Sequence, residues 1–141
     1  MQHTTNYILP QWEDSDRVTR EAVNGAFSTI DGALGTMPRI AAGSYTGNGQ
    51  TENEENIIQH FSLGFRPKLV ILYVNIGASN RNNVEQYFIA DAQEYRHTNN
   101  MILGVLTDDG FSVGSVWVRN FGYITPYLNM PPYTYAFIAI G

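Results

Sequence analysis

The side chains best suited to acid–base or metal chemistry are three histidines, His3, His60 and His97, and two adjacent carboxylate pairs, Glu54-Glu55 and Asp108-Asp109. A zinc-type site needs several ligands at short, regular spacing or converging from neighbouring elements. Each histidine stands without a second histidine or a matched carboxylate at such spacing on its own element, so the expected metal set is none. His60 falls on the outer face of an alternating segment, where a surface or interface histidine is the ordinary outcome. An axial ring made by three copies of it is the metal-binding alternative. Paired carboxylates can hydrolyse glycosides. Asp108-Asp109, however, precedes Gly110 in a tight-turn pattern, where Asp is favoured for local hydrogen bonding. Glu54-Glu55 lies in the polar stretch Gln50 to Asn56. Neither pair reads as catalytic. No G-x-S-x-G, H-E-x-x-H, Walker A or G-x-G-x-x-G pattern is present. Gly47-Asn48-Gly49 lies between two strand candidates, and reads as a turn rather than a phosphate loop. The expectation is a protein with no catalytic residues and no cofactor.

Binding chemistry is better represented. The stretch Asn75 to Asn83 carries Arg81, Asn82 and Asn83, and Tyr95-Arg96-His97-Thr98-Asn99 adds an aromatic ring and two cationic groups. Such side chains hydrogen-bond and stack on sugars or contact protein surfaces. The competing reading is two solvated loops.

These loops must be carried by something, and the pattern around them is strand and turn. Ile40 to Thr46, Ile57 to Leu63, Lys68 to Ile76, Glu85 to Ala90, Asn100 to Leu106, Phe111 to Arg119 and Tyr133 to Ile140 are strand candidates separated by turn signals. Lys68 to Ile76 is the most apolar and is expected to be central. Asp108-Asp109-Gly110 marks a hairpin. The parity change between Val113 and Val116 places a β-bulge at Gly114. Tyr133, Tyr135, Phe137 and Ala139 share one side of the last strand. About 7–8 short strands over 39–141 predict a mainly β domain, an antiparallel β-sandwich, preceded by an N-terminal α-helix.

That helix belongs to a separate segment, 1–38. Glu13-Asp14-Ser15-Asp16 supplies N-cap residues and acids, and Arg17 to Met37 is free of proline until Pro38 stops it. Val23, Phe27, Ile30, Leu34 and Met37 recur at 4-3-4-3 spacing, which is the seam of a helix packing on a partner. Gly25, Gly32 and Gly35 each cost about 1 kcal/mol relative to Ala, so the helix needs a partner: its own β domain or other copies of the chain. Tyr7 to Trp12 reads as extended, with Trp12 anchoring it to an apolar surface.

Composition narrows the function classes. The 141 residues carry 43% hydrophobic and 13% aromatic side chains but only 15% charged ones, and no cysteine. The net charge of −5 comes with eight scattered Lys and Arg, which argues against nucleic acid as a partner. Absent cysteine leaves the compartment open. Met1 to Pro10 lacks a basic start and an apolar core and does not read as a signal peptide. Leu69 to Val74 is far too short to insert in a membrane.

Gly43-Ser44-Tyr45-Thr46-Gly47-Asn48-Gly49, followed by Phe61-Ser62-Leu63-Gly64-Phe65-Arg66-Pro67-Lys68-Leu69-Val70, resembles phage tail and prophage structural proteins. Leu106 to Val113, Leu128-Asn129 and Tyr133-Thr134-Tyr135-Ala136-Phe137 continue the resemblance in order. Leu9 to Glu13 and Arg17 to Leu34 look like the helical neck of such proteins. The departure is Met130-Pro131-Pro132, where a Gly-containing turn is expected. The resemblance implies a homotrimeric tail-fibre, baseplate or receptor-binding part of a virion tail, with β domains about a threefold axis. It implies partners among host-surface glycans or proteins, or neighbouring virion proteins, and no catalytic residues. A free carbohydrate-binding lectin is the alternative, and a glycan depolymerase a third class.

Overall fold

The computed structural model describes residues 1–49, 56–75 and 84–141. The chain divides into two compact units, Met1–Pro38 and Arg39–Gly141.

In the first unit, β1 (Gln2–His3) pairs antiparallel with β2 (Pro10–Gln11). Thr4 closes the intervening loop, its hydroxyl accepting from Leu9 N at 2.9 Å. Trp12, the expected anchor, is 37% exposed. The helix α1 spans Arg20–Thr36, three residues later than the acidic stretch suggested. The acids are occupied in a turn of their own: Asp16 N donates to Glu13 O, and Glu13 N donates to Asp16 Oδ2. That backbone hydrogen bond from Glu13 is the main cause holding the Asp16 carboxyl below its usual range. Thr19 is the true cap, its Oγ1 accepting from Ala22 N at 3.2 Å. At the other end Pro38 forces Met37 out of the helix into extended backbone.

The second unit is a mainly β, antiparallel sandwich. Its strands are β3 (Ile40–Thr46), β4 (Asn56–Ser62), β5 (Leu69–Asn75), β6 (Val84–Ala90), β7 (Tyr95–Arg96), β8 (Ile102–Leu106), β9 (Gly110–Val118), β10 (Gly122–Tyr123) and β11 (Thr134–Ile140). One sheet has the order β3-β11-β5-β6, with β5 interior as its apolar run demands. In the other, β9 pairs with β4, β8 and β10, and β8 pairs with β7. The seven longer strands coincide with the seven read from the sequence, while β7 and β10, two residues each, are too short to carry a period.

The core lies between the sheets. Val70, Leu72 and Val74 of β5, Ile89 of β6 and Tyr135, Phe137 and Ala139 of β11 meet Leu106, Phe111 and Val113 of the hairpin β8–β9. An aromatic run crosses this seam: Tyr45 stacks on Tyr135 at 4.8 Å, and Phe61 meets Phe111 at 5.0 Å and Tyr45 at 4.6 Å.

Two turn expectations are corrected. Gly47-Asn48-Gly49, read as a turn between strands, is irregular backbone with no turn, and β3 and β4 on either side belong to different sheets. Instead it docks on the loop before β11. Gly47 N donates to Tyr133 O, and Gly49 N donates to Asn129 O. A Cβ on Gly47 would strike the Met130 carbonyl. Gly114 is not a bulge, since β9 and β4 pair without a break from Gly110↔Ser62 to Val116↔Asn56. The parity change arises because β9 is buried on both faces from Gly110 to Val116. Gly114 is small for another reason. The Asn56 amide reaches Ile102, donating to its carbonyl at 2.6 Å and accepting from its N–H. A Cβ on Gly114 would lie 2.9 Å from that amide nitrogen and against the Ile102 carbonyl.

Candidate functional site

The β domain is closed at one point by a clamp on the segment Tyr127 to Met130. Tyr45 Oη donates to Leu128 O at 2.7 Å, and Tyr135 Oη donates to Tyr127 O at 2.6 Å while accepting from Met130 N. Burial pushes the Tyr135 phenol up to about 12 and the Tyr45 phenol higher still. The Asn129 side chain, 0% exposed, is saturated. Its Oδ1 accepts from Asn48 N and Gln59 Nε2, and its Nδ2 donates to Asn48 Oδ1 and Ile57 O. These groups have every partner they need from the protein itself, which marks a structural fastening.

The second arrangement joins His60 to Asp109, at 3.1 Å from Nε2, and to Ser112 Oγ, at 3.1 Å from Nδ1. Sequence spacing could not show it, because His60 and Ser112 are cross-strand partners of β4 and β9. Carboxylate, imidazole and hydroxyl in line is the order of an acyl-transfer array. Ser112, however, is only 7% exposed and sits mid-strand, with β4 on one side and β8 on the other. The array reads as a pin between β4 and the β8–β9 hairpin.

Asp109 is held below its usual range first by the Ser62 hydroxyl, then by His60 and Thr107. A depressed folded-state carboxyl contributes stability that is present above its unfolded pKa, near 3.8, and lost as pH falls through the lower folded value. Replacing Asp109 by Asn should therefore flatten the loss of stability on the acid side. Urea midpoints of both proteins between about pH 5 and pH 2 measure this; parallel curves would contradict it.

Of the binding residues read from the sequence, Arg81, Asn82 and Asn83 lie outside the described residues. Tyr95 turns inward: it packs against the core and meets Tyr87 edge-on at 6.3 Å. Arg96 is engaged by Glu94, through Nε at 3.2 Å and Nη2 at 3.1 Å. His97 lines a cleft of about 250 Å³ together with Thr98, Asn99, Met101, Val116 and Val118. Val116 and Val118 are contributed by a neighbouring strand, which is why a reading of the loop alone missed them.

Of the expected interface residues, Val23 on α1 is half-buried and the other four are open to solvent. Phe27 is 64% and Leu34 60% exposed, Ile30 and Met37 are also exposed, and the helix buries none of its residues. Met37 lies just beyond the helix end.

A further apolar surface was not foreseen: the outer side of the β3-β11-β5-β6 sheet. Its cross-strand rows are Ala42–Ile138–Ile71–Phe88, Ser44–Ala136–Tyr73–Gln86 and Ile40–Ile140–Leu69–Ala90. None of these positions carries a charge. At about 4.8 Å between strands and about 3.3 Å per residue, a four-strand, seven-residue face covers roughly 400 Å²; its apolar part is the two rows through Ile138 and Ile140, while Ser44, Tyr73 and Gln86 and the pair Thr46–Thr134 are polar.

Among the described residues, no group of three His, Cys, Asp or Glu is placed to hold a metal ion, and no helix is long and apolar enough to cross a membrane. Compared with known proteins, the chain matches no family model, no curated protein and no solved structure.

Proposed function

We propose that this chain is a non-catalytic adhesion or assembly module of phage-tail type that works as a homotrimer. The observation that carries this reading is the exposed seam on α1: Phe27, Ile30 and Leu34 face solvent on a glycine-bearing helix that buries nothing within one chain. A helix of that composition is marginal alone, and an apolar seam at heptad spacing is stabilised by the same seam on other copies. The uncharged outer sheet face supports the reading, since roughly 400 Å² is half of what a standard interface takes from each partner and one surface alone would leave assembly weak. The choice of three copies, and of a virion tail as the place of action, comes from the sequence resemblance. In such an assembly the contacts act together: identical weak sites on one rigid body gain avidity through effective concentration.

The test is solution mass by light scattering on a sizing column, at several concentrations. One chain is 15.8 kDa, so the intact protein should read about three times that. The double change Phe27→Ser and Leu34→Ser should reduce it toward one chain while the far-ultraviolet signal of the β domain persists. A single-chain mass at every concentration would overturn the reading.

A further inference from the structure

The cleft beside the 95–101 loop has a chemistry of its own. One wall is the segment from His97 to Met101, closed on itself by His97 N donating to Met101 O at 2.9 Å. Asn99 and Asn100 both take left-handed backbone, with φ of 60° and 64°, a conformation that Asn tolerates and β-branched residues do not. The loop is thereby turned so that His97, Thr98 and Asn99 border the cleft, while Met101, Val116 and Val118 complete its lining. An imidazole, a hydroxyl and an amide supply both donors and acceptors. Among the described lining residues the imidazole is the one ionisable group, so none of them compensates a charged ligand. Met101 and Val118, both half-buried, favour a ligand with C–H surface as well as hydroxyls, whereas Val116, 1% exposed, offers it almost none. A space of about 250 Å³ lies just below the range of drug-sized pockets, about 300–1,000 Å³, and suits one ring rather than a chain of them.

The surroundings extend the same chemistry. Val118 opens the turn to β10, with Phe121 N donating to Val118 O at 3.0 Å. At the tip of that turn the Phe121 ring is 83% exposed, a large apolar ring displayed to solvent three residues from the cleft lining. Aromatic faces of this kind pack on the C–H faces of sugar rings.

From these observations we infer that the cleft is a binding site for a single neutral monosaccharide unit, held by His97, Thr98 and Asn99 over Met101 and Val118. The inference rests on the adhesion reading above, and supplies it with a ligand class and a location. Affinity per site is weak, on the order of 1 mM, because the contact is small and open; avidity in an assembly makes it useful.

The experiment titrates the full-length protein with the methyl glycosides of glucose, galactose, mannose and N-acetylglucosamine, one at a time, following backbone amide shifts. At least one glycoside should produce saturable shifts centred on His97, Thr98 and Val118. Asn99→Gly preserves the left-handed backbone and removes only the amide, so it should weaken that glycoside at least tenfold without loss of fold. Val118→Phe, which fills the cleft, should abolish the shifts. Absence of saturable shifts with all four glycosides up to about 50 mM, fifty times the expected Kd, would overturn the inference. So would shifts confined to other surfaces, or unchanged affinity in Asn99→Gly. Light scattering on the same samples separates the two readings. A trimer that binds no glycoside sinks the cleft and leaves the assembly; a single-chain protein that binds one sinks the assembly and leaves the cleft.

Discussion

Replacing Asn129 by Leu should lower the stability of the β domain by about 3 kcal/mol or more, the largest effect expected from a single polar side chain here. Asn129 is fully buried and makes four side-chain hydrogen bonds. Its loss strips partners from Asn48, Gln59 and the Ile57 carbonyl, and each buried polar group left alone costs about 1–3 kcal/mol. Part of that is recovered where water reaches Asn48, which is exposed, so the full sum is not expected. For a domain of this size about 3 kcal/mol corresponds to a fall in Tm of roughly 12–24 °C. Asn129→Asp adds a pH signature. The new carboxylate would face the Asn48 Oδ1 and Ile57 O acceptors, which repel its charged form. Its folded-state pKa is therefore raised above the unfolded value of about 3.9. A carboxyl of that kind binds its proton more tightly when folded, so the variant is closest to the parent below about pH 4 and falls further behind as pH rises through the raised pKa. Urea midpoints at pH 4 and pH 7 measure the gap; a gap that is the same at both would show that the charge is not what destabilises.

The second large effect concerns Tyr135. Tyr135→Phe keeps the ring stacked on Tyr45 but removes the hydroxyl that donates to Tyr127 O and accepts from Met130 N. About 2 kcal/mol should be lost, from two hydrogen bonds whose partners are left inside. Tyr135→Ala should lose about 4 kcal/mol or more, because a fully buried ring is replaced by a cavity. Because Tyr45 holds the next carbonyl of the same segment, Tyr45→Phe and Tyr135→Phe should not be additive. A double-mutant cycle should show coupling of at least 0.5 kcal/mol, and strict additivity would mean the two hydroxyls do not act on one clamp.

The strands of this molecule could be read from its sequence where one face alone is buried. In β11 the alternation of Tyr135, Phe137 and Ala139 with outward residues is clean, and β3 was bounded to the residue. Reading failed where two faces are buried, as at Gly114, because alternation vanishes and a break in parity imitates a bulge. It failed at Glu13 to Asp16, where residues able to cap a helix satisfy a local turn instead. It failed for Gly47 to Gly49, where the Met130 carbonyl leaves no room for a Cβ at Gly47 and the Ser115 side chain none at Gly49, both distant in the sequence. The cleft was half legible. His97, Thr98 and Asn99 stand in a polar stretch, whereas Val116 and Val118 become part of the same surface only through the pairing of strands. The cross-strand contact of His60 with Ser112 is of the same kind: register creates it, and no local spacing announces it.

The position of β11 governs when the domain can form. It lies between β3 and β5, and Thr46 meets Thr134 across 88 residues of sequence. Tyr45 likewise reaches Leu128 across 83. Until β11 is in place, β3 has no neighbour in its sheet and β5 has one side open. Such distant pairing requires closure of a long loop before contacts repay it, so this sandwich belongs with the slow, high-contact-order folders. During synthesis the hairpin of β8 and β9, and the pair of β5 and β6, can assemble from neighbouring segments, but the sheet that joins β3 to β5 and β6 waits for the seven residues from Thr134 to Ile140. The β domain thus does not acquire protease resistance by stages: protection arrives with β11.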